Sequence, residues 1–222
     1  MTQIDARSLR FRAALFDMDG TLVDSTALVE QEWDLWARRH GLNAPEVAHS
    51  SHGRRTEDVI LAYLPQIDLA AEMLEFHAMA AQLDQSSVVA IPGALEFVKS
   101  LAPDAWAVVT SAPEAIARQR LLACGFPAPM ALVAAESVER GKPDPQGFLM
   151  AAGQIGREAV DCMVFEDAPA GVEAGRRAGM RVVALETTHP GVTFEASLQV
   201  PDFRWLTVRM REDGDWELAM RL

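Results

Sequence analysis

Two aspartates near the start of the chain are spaced so that they can act on one reacting group. Asp17 and Asp19 follow the apolar run at residues 13–16 and precede Gly20. If the extended backbone of that run continues, both carboxylates project to the same side, so one can attack while the other transfers protons. Acidic residues before a glycine are equally typical of a simple turn, and the pair alone leaves both interpretations open.

A pair of hydroxyl side chains follows a second apolar run. Thr110 and Ser111 come directly after residues 105–109, and Ser111 stands three residues before Glu114. With Pro113 between them, this spacing is typical of a helix capping box. The start of such a helix also presents free amides and the positive end of a dipole to an anion. We therefore expect both hydroxyl groups to lie at an anion-binding position.

A lysine lies in a stiff segment further along the chain. Lys142 belongs to the sequence GKPDP at residues 141–145, where two prolines restrict the backbone. An isolated lysine is usually solvated on the surface, but one that is fixed after a strand can neutralise a phosphate and a carboxylate together. We therefore expect Lys142 to bind a phosphate group.

Two adjacent acids follow a further predicted strand. Glu166 and Asp167 come after residues 162–165 and precede Pro169. Asp167 could simply cap the helix that the proline begins. Carboxylates that face Asp17 across a crevice are, however, what Mg²⁺ requires, because this hard cation prefers oxygen ligands. We expect these acids to form a Mg²⁺ site.

Each of these groups stands at the end of a predicted strand. From residue 92 onward, short apolar runs alternate with segments of helical periodicity. The predicted strands span residues 105–109, 130–134, 162–165 and 181–185, and the predicted helices span residues 92–101, 113–123, 146–155 and 169–178. This alternation predicts an α/β fold with a doubly wound parallel sheet, in which ligands bind at the carboxyl ends of the strands. Beyond it, the Asp213-Gly214 step predicts a β-hairpin at about residues 204–221.

The segment between the first strand and this alternation has a different pattern. Its apolar residues recur at spacings of three and four, for example in residues 59–64 and 69–83, and no strand is evident. We therefore predict an all-helical insert at residues 25–89, hereafter the insert. It interrupts a discontinuous α/β core formed by residues 1–24 and 90–222.

The composition limits the partners. The chain has 222 residues, of which 50% are hydrophobic, and a formal net charge of -12. This charge opposes extended contact with nucleic acid or an anionic membrane, and the sequence shows no transmembrane or signal-peptide pattern. We expect a cytoplasmic protein that binds a small molecule, with Cys124 and Cys162 as reduced thiols.

The order of these motifs resembles that of haloacid dehalogenase superfamily phosphatases with a helical cap. The resemblance covers nearly the whole chain and is carried by LFDMDGTL at residues 15–22, Thr110, GKP at residues 141–143 and FED at residues 165–167. Two further segments, SHGRRT at residues 51–56 and VFEDAPAG at residues 164–171, resemble the branch of glycerol-phosphate, deoxyglucose-phosphate and hexitol-phosphate phosphatases.

The resemblance implies a Rossmann-like core and a role for each motif. Asp17 would be the nucleophile that forms an aspartyl-phosphate. Asp19 would protonate the leaving alkoxide and then activate water. Thr110, Ser111 and Lys142 would hold the phosphoryl oxygens, whose charge must be neutralised during phosphoryl transfer.

The resemblance also implies a set of metal ligands. Mg²⁺ would be bound by the Asp17 carboxylate, the Asp19 backbone carbonyl and Asp167, with Glu166 as a direct or water-mediated ligand. A cation at this point reduces the repulsion between an anionic nucleophile and an anionic substrate.

The insert would close over the site as a cap and contact the leaving group. We expect His52, Gly53 and Arg55 to determine substrate specificity. The alternative is that Arg55 and its charged neighbours Arg54 and Glu57 form only the solvated start of a helix.

Several other functions share part of this pattern. A dehalogenase of the same superfamily does not need an acid at Asp19, a phosphorylated signalling receiver is much shorter, and a non-catalytic module has no need of both aspartates. A sugar phosphomutase of the β-phosphoglucomutase type has all four motifs, and His52 in place of a lysine beside Gly53 disfavours it without excluding it. We therefore expect a Mg²⁺-dependent phosphoric monoester hydrolase for small sugar or polyol monophosphates, as a monomer or weak homodimer.

Overall fold

The protein is built around a six-stranded parallel sheet, and the computed structural model describes residues 8–221. The strands are β1 (Leu9–Phe11), β2 (Ala13–Phe16), β3 (Val23–Asp24), β4 (Val89–Ala90), β5 (Trp106–Val109), β6 (Ala131–Val133), β7 (Cys162–Glu166), β8 (Arg181–Leu185), β9 (Leu198–Val200), β10 (Leu206–Met210) and β11 (Trp216–Met220). The helices are α1 (Thr26–Arg39), α2 (Ala44–Ser51), α3 (Thr56–Tyr63), α4 (Leu69–Ala80), α5 (Ala94–Ser100), α6 (Glu114–Ala123), α7 (Gln146–Gln154) and α8 (Pro169–Arg177). Residues 1–7 and Leu222, which the predicted core includes, lie outside the described residues.

The main sheet has the strand order β6-β5-β2-β7-β8-β9. Every neighbouring pair in it is parallel. The chain winds outward from β2 in both directions, so the predicted doubly wound α/β fold is confirmed. All residues of β2, β5 and β7 are buried, because helices cover both faces of the sheet.

Alternate side chains of the strands fill two cores, one on each face of the sheet. On one face, Phe16 of β2 stacks on Phe165 of β7 with ring centroids 4.8 Å apart, and Phe97 and Phe203 pack around this pair. Leu15 points to the other face and joins the cluster of α7 and α8. Burial of both faces fixes the register of the strands and therefore the position of their ends.

The carboxyl ends of three strands meet at the point where the winding direction changes. β5 lies on one side of β2, β7 lies on the other, and all three run in the same direction. Their ends therefore open onto one crevice, which is where ligands bind in folds of this type.

Helices α1–α4 of the insert pack around an apolar cluster of their own. Trp33 and Trp36 of α1 meet edge to face with ring centroids 5.4 Å apart, and Phe76 of α4 packs against Trp33. Trp36 Nε1 donates a 2.8 Å hydrogen bond to the buried Glu72, which His40 Nε2 also contacts at 2.9 Å. Buried aromatic side chains therefore hold the insert together.

The structure of the insert differs from the sequence prediction at several element boundaries. Helix α2 was not predicted, although Asn43 caps it and Pro45 follows in its first turn. α3 begins at Thr56, three residues before the predicted start, and α4 ends at Ala80, three residues before the predicted end. α2 and α3, with eight residues each, contain too few turns for a clear apolar period.

Two short strands join the insert to the core. β3 and β4 pair antiparallel, with Val23 opposite Ala90 and Asp24 opposite Val89. The sequence analysis predicts no strand in residues 25–89, and this is wrong at Val89, which belongs to β4. The strand was missed because two residues carry no periodic signal.

The C-terminal strands β10 and β11 form an antiparallel hairpin, and β1 pairs with the free side of β11. Trp216 and Leu218 of β11 are buried in the same core as Phe16, so this small sheet packs against the main one. The longest helix, α1, has 14 residues, and a membrane span needs about 20. Within residues 8–221, no helix combines the length and apolar character that crossing a membrane requires.

Candidate active site

A cavity of about 470 Å³ lies between the core and the insert, hereafter the cavity. From the core it is lined by Asp17, Asp19, Thr110, Ser111, Ala112, Pro113, Ile116, Gln119, Arg120 and Thr188. From the insert it is lined by Val29, Glu32, Trp33, His52, Gly53, Arg54, Phe76 and His77, among others. The polar groups of the strand ends therefore face a mixed wall of aromatic, aliphatic and polar side chains.

Asp17 and Asp19 lie on the turn after β2, and both line the cavity, as their spacing predicts. The Asp17 amide donates a 3.0 Å hydrogen bond to the Phe165 carbonyl, which extends the pairing of β2 with β7. Gly20 has a φ of +85°, and a Cβ at this position would collide with the Asp167 carboxylate. The turn therefore needs glycine, both for its backbone conformation and for this close approach.

The carboxylates of Asp17, Glu166 and Asp167 form a buried acid cluster. One oxygen from each lies within 4.8 Å of those of the other two. Burial raises the pKa of Asp17 well above its ordinary value; the charges of Glu166 and Asp167 add to this rise, and Lys142 opposes it. Burial, followed by the charge of Glu166, raises the pKa of Asp167 to about 7. A bound cation would relieve this crowding of negative charge.

Lys142 supplies one positive charge to the acid cluster. Its Nζ donates to Asp17 Oδ1, to Glu166 Oε1 at 2.8 Å and to the Val109 carbonyl at 3.1 Å. Burial lowers the pKa of Lys142, but the carboxylates of Asp17 and Glu166 outweigh this effect and raise it overall. One ammonium among three carboxylates leaves an excess of negative charge.

Glu166 is held through both of its oxygens. Oε1 accepts a hydrogen bond from Lys142, and Oε2 accepts from the amides of Asp167 and Ala168 at 2.8 Å each. A Cβ on Gly171 would overlap this carboxylate, so the glycine makes room for it. α8 begins at Pro169 with Ala168 as its N-cap, and no side chain among residues 8–221 caps it. The alternative that Asp167 only caps this helix is therefore wrong.

Asp167 is oriented by two threonine hydroxyls. Thr21 Oγ1 donates to Oδ1 at 2.7 Å, and Thr188 Oγ1 donates to Oδ2. Both oxygens are therefore fixed next to Asp17. Thr21 belongs to the LFDMDGTL motif, but its role as a support for Asp167 was not predicted. Thr188 lies in a loop after β8 that carries no motif, and only the folded structure identifies it.

Asp19 is held from both the core and the start of the insert. Its Oδ1 accepts hydrogen bonds of 2.6 Å from Ser25 Oγ and from Arg120 Nη1. Arg120 lies on α6 and is buried. The sequence analysis identified neither partner, because no local spacing connects Arg120 with Asp19.

Thr110 and Ser111 reach the cavity but use their hydroxyl groups differently. Thr110 is buried, and its Oγ1 accepts a 3.0 Å hydrogen bond from the Ala112 amide. The Thr110 hydroxyl hydrogen remains available to a ligand oxygen. Ser111 Oγ donates a 3.0 Å hydrogen bond to the Gly53 carbonyl, so it connects the core to the insert.

The predicted capping box before α6 is wrong. α6 begins at Glu114 after Pro113, and no side chain in the described part of the chain caps it. The Glu114 amide instead donates to the carboxylate of Glu136 at 3.2 and 3.3 Å, while Ser111 is bonded to the insert. An acid of the protein therefore occupies part of the helix start that was expected to face an anion.

The two arginines of the SHGRRT segment point to different places. Arg55 bonds Asp58 through two nitrogens at 2.8 and 2.9 Å and the carbonyls of Val138 and Glu139 at 3.1 and 3.3 Å. It does not line the cavity, so the expectation that it contacts substrate is not supported. Arg54 lines the cavity in its place. Helical spacing alone does not show which of two adjacent residues faces a ligand.

His52 and Gly53 line the cavity, and their role in substrate specificity stays a prediction. Gly53 has a φ of +73°, and a Cβ there would press against Ala168 of the core. Burial, followed by the nearby imidazoles of His189 and His49, lowers the pKa of His52 to about 4. At neutral pH the His52 ring is therefore uncharged, so it can donate one hydrogen bond and accept another.

The acid cluster has the donor chemistry of a hard divalent cation. All of its donors are carboxylate oxygens, which suit Mg²⁺ and similar ions. Each of the three acids offers an oxygen within 4.8 Å of those of the other two. The Asp167 oxygens each accept one hydrogen bond from a neutral threonine hydroxyl, whereas Glu166 is bonded to the Lys142 ammonium and to two amides. The residues present therefore fit a cation bound mainly by Asp17 and Asp167 and supported by Glu166.

Three curated proteins with similar sequences are named as phosphatases or phosphohydrolases. The chain is 38% identical to hexitol phosphatase A of Escherichia coli over 93% of this chain and 98% of that protein. It is 34% identical to validoxylamine A 7'-phosphate phosphatase of Streptomyces hygroscopicus over 88% of this chain and 97% of that protein. It is also 30% identical to glycerol-1-phosphate phosphohydrolase 1 of Saccharomyces cerevisiae over 82% of this chain and 77% of that protein.

A solved structure and a family model agree with this similarity. A hydrolase from Pseudomonas syringae superposes with a TM-score of 0.75 at 27% identity, over 86% of this chain and 93% of that one. The family model for haloacid dehalogenase-like hydrolases matches residues 11–179. This match contains the ends of β2, β5 and β7, where Asp17, Thr110 and Asp167 lie. The chain therefore belongs to the haloacid dehalogenase-like hydrolase family.

Proposed function

We propose that this chain hydrolyses small sugar or polyol monophosphates with the aid of bound Mg²⁺. One observation carries the proposal: a buried carboxylate, Asp17, lies against Lys142 and Asp167 at a cavity that a second acid, Asp19, also lines. This set contains a nucleophile, a phosphate-neutralising cation, a metal ligand and a proton-transfer group. Each of these groups can contribute to phosphoryl transfer from an alkyl ester.

The reaction would proceed in two displacements. The Asp17 carboxylate forms a bond to phosphorus while the bond to the ester oxygen breaks, and Asp19 gives its proton to the departing alkoxide. Water then attacks the aspartyl-phosphate, Asp19 takes a proton from that water, and inorganic phosphate leaves with Asp17 restored. The first displacement leaves Asp19 deprotonated, as the second requires. The second displacement protonates Asp19 again, so the enzyme is ready for the next substrate molecule.

Lys142 and Thr110 are placed to bind the phosphoryl oxygens. Lys142 is buried and already contacts the nucleophile, so a phosphate attacked by Asp17 lies within reach of its ammonium. Thr110 stands at the end of the neighbouring strand β5 and lines the same cavity. Ser111 is predicted as a third contact, although its present bond to Gly53 would have to give way or be shared.

The bound Mg²⁺ would be held by the Asp17 and Asp167 carboxylates and the Asp19 backbone carbonyl. It would supply positive charge that reduces repulsion between nucleophile and phosphate and stabilises the transferring group. Thr21 and Thr188 orient Asp167 for this purpose. Glu166 would act through a water or through its support of Lys142, because it already binds that ammonium and the amides of Asp167 and Ala168.

The domain division that we propose follows from the position of the cavity. Residues 25–89 would form a cap over a core of residues 1–24 and 90–222. The cap has its own apolar cluster and meets the core at the cavity. Closure would shield the transfer of the phosphoryl group to Asp17 from bulk water and bring cap side chains to the leaving group.

The substrate class is supported by the relatives and by the cavity wall. The three curated relatives are named for a hexitol phosphate, a validoxylamine phosphate and glycerol 1-phosphate. In this chain, the rings of Trp33 and Phe76 offer an apolar face, and Glu32, Arg54 and Gln119 offer hydrogen bonds. Polyols and sugars have both C–H faces and hydroxyl groups, so such a wall suits them.

A panel of phosphate esters tests the proposal. Release of inorganic phosphate would be measured from hexitol phosphates, hexose phosphates, glycerol 1-phosphate and a nucleotide, with Mg²⁺ and with EDTA. We expect Mg²⁺-dependent hydrolysis of the polyol and sugar esters. Hydrolysis of none of them would overturn the proposal, and activity only in the presence of a sugar bisphosphate would favour the phosphomutase alternative.

A further inference from the structure

A buried arginine lies beneath the cavity between two acids. Arg120 of α6 is 6% exposed, and its Nη1 donates a 2.6 Å hydrogen bond to Asp19 Oδ1. Its Nη2 lies 3.8 Å from Glu32 Oε1 on α1 of the insert. Within residues 8–221, its buried Nε has no hydrogen-bond partner. Burying a charge is costly unless it is paired, so the position of Arg120 depends on these two carboxylates.

The contacts of Asp19 show what this arginine controls. Ser25 Oγ and Arg120 Nη1 both donate to Oδ1. In the described part of the chain, no hydrogen bond of a protein group reaches Oδ2. The two hydrogen bonds hold Oδ1 in place. They therefore leave Oδ2 as the oxygen of Asp19 that is free for a ligand in the cavity.

Glu32 connects this arrangement to the insert. Its side chain is 12% exposed and lines the cavity. Burial raises the pKa of Glu32, and the charge of Arg120 counteracts that rise. Helix α1 therefore contributes both Glu32 and, immediately before its start, Ser25 to the surroundings of Asp19.

We propose that Arg120 is a positioning residue for the phosphatase reaction: it binds Asp19 Oδ1 so that Oδ2 faces the cavity and exchanges the proton. The ion pair with Glu32 keeps Arg120 in place and links the position of Asp19 to the insert. This inference rests on the proposed function, because it assigns Arg120 to the acid and base steps of that reaction.

Two esters separate this role from a general effect on folding. An alkyl phosphate such as sorbitol 6-phosphate needs Asp19 to protonate its leaving group, whereas p-nitrophenolate leaves without a proton. Both reactions need Asp19 to activate water in the second displacement. Loss of the Asp19 position should therefore slow both steps for the alkyl ester and only the second step for the aryl ester.

The experiment compares Arg120→Met with Arg118→Met, an exposed arginine on the same helix that bonds Glu114. In Arg120→Met we expect kcat/KM for sorbitol 6-phosphate to fall about 100-fold. For p-nitrophenyl phosphate, kcat/KM should change by less than about threefold while kcat falls. Rapid mixing should then show a burst of p-nitrophenolate close to one equivalent per enzyme. Arg118→Met should behave as the wild type for both esters.

Further measurements distinguish a loss of folding from a loss of positioning. Thermal melts show whether Arg120→Met is folded. Arg120→Lys keeps the positive charge and loses the planar arrangement of donors, so it should show the same pattern with a smaller loss. In an Asp19→Asn background, Arg120→Met should change kcat/KM by less than about twofold, because its effect passes through Asp19.

The outcomes separate the inference from the proposed function. Equal losses on both esters without a burst in folded Arg120 variants would overturn the inference and leave the phosphatase assignment in place. An additive effect of Arg120→Met on Asp19→Asn would do the same. If the wild type hydrolyses neither ester, the proposed function fails, and the inference fails with it.

Discussion

The core side and the insert side of the cavity are built on different principles. On the core side, Asp17, Lys142, Glu166 and Asp167 are almost fully buried, and each is bonded to at least one of the others or to a threonine. On the insert side, apolar side chains such as Trp33 and Phe76 lie beside polar and charged ones such as Glu32 and Arg54. The core side therefore has a fixed geometry suited to one reaction, and the insert side has a surface suited to recognition.

Side-chain bonds connect the two sides at several points. Ser111 bonds the Gly53 carbonyl, Arg55 bonds the carbonyls of Val138 and Glu139, and Arg120 faces Glu32. Strand ladders fix the core residues, whereas such side-chain bonds and the short pair of β3 with β4 hold the insert against the core. Changes on the core side should therefore remove the reaction, whereas changes on the insert side should alter its selectivity.

Asp17→Asn should have the largest effect, because the amide cannot act as the nucleophile. We expect kcat to fall by at least about 10⁴-fold, measured as phosphate release from the best ester of the panel. Asp104→Asn, the same change at an exposed position, serves as the control. Substantial turnover by Asp17→Asn would mean that a different group attacks phosphorus.

Lys142→Met should destabilise the core as well as inactivate it. The substitution leaves the Asp17 and Glu166 carboxylates buried without their counter-charge, and breaking a buried pair in this way costs about 3–5 kcal/mol. Urea unfolding without Mg²⁺ would measure this loss. The exposed Lys99, the other lysine of the chain, gives the matched control Lys99→Met. Unchanged stability would show that the acid cluster does not depend on Lys142.

Asp167→Asn should remove the stabilisation that Mg²⁺ gives to the folded protein. At a Mg²⁺ concentration 100 times its Kd, the wild type should gain about 2.7 kcal/mol of unfolding free energy. The variant should gain much less, because it loses a carboxylate ligand of the acid cluster. Thermal melts with and without Mg²⁺ measure the difference, with Asp104→Asn as the control. An undiminished Mg²⁺ effect would place the cation elsewhere.

The core side could be predicted from the sequence for a physical reason. Asp17, Thr110 and Asp167 directly follow buried parallel strands, and parallel strands bring their carboxyl ends together whatever the details of packing. The apolar runs therefore predicted both the sheet and the positions of these residues. The capping box failed because Glu136, which lies far along the chain from α6, competes for the same amide.

The insert side could not be predicted to the same depth. Arg54 and Arg55 are adjacent, and only the bonds of Arg55 to Asp58 and to core carbonyls decide which one faces the cavity. Arg120 and Thr188 were missed because their partners are remote in sequence. Contacts of this kind depend on how separate elements pack, which periodicity and motifs do not encode.

The two adjacent arginines provide a direct comparison within the insert. Arg54→Met should lower kcat/KM for the best ester by about tenfold with little loss of stability, because it removes a charged contact at the cavity wall. Arg55→Met should lower the unfolding free energy by about 2 kcal/mol, because it leaves Asp58 and two carbonyls without a donor. Kinetics and urea unfolding of both variants form one experiment. A larger kinetic effect from Arg55→Met would restore the original expectation for that residue.

His52 should give the smallest effect, and it shows how the insert responds to pH. In the unfolded chain His52 takes up a proton near its ordinary pKa of 6.5, whereas in the folded protein burial lowers its pKa to about 4. The unfolded state therefore binds more protons as pH falls from about 6.5 towards 4, and the folded protein loses stability in that window. His52→Gln removes this contribution, so the wild type should lose about 1 kcal/mol more than the variant between pH 7.5 and pH 5, after allowance for solvent screening of this half-buried ring. The exposed His77, changed to Gln, is the control. If wild type and His52→Gln lose stability in parallel, the ring is already solvated in the folded state, and the insert is open to water at this point of the cavity wall.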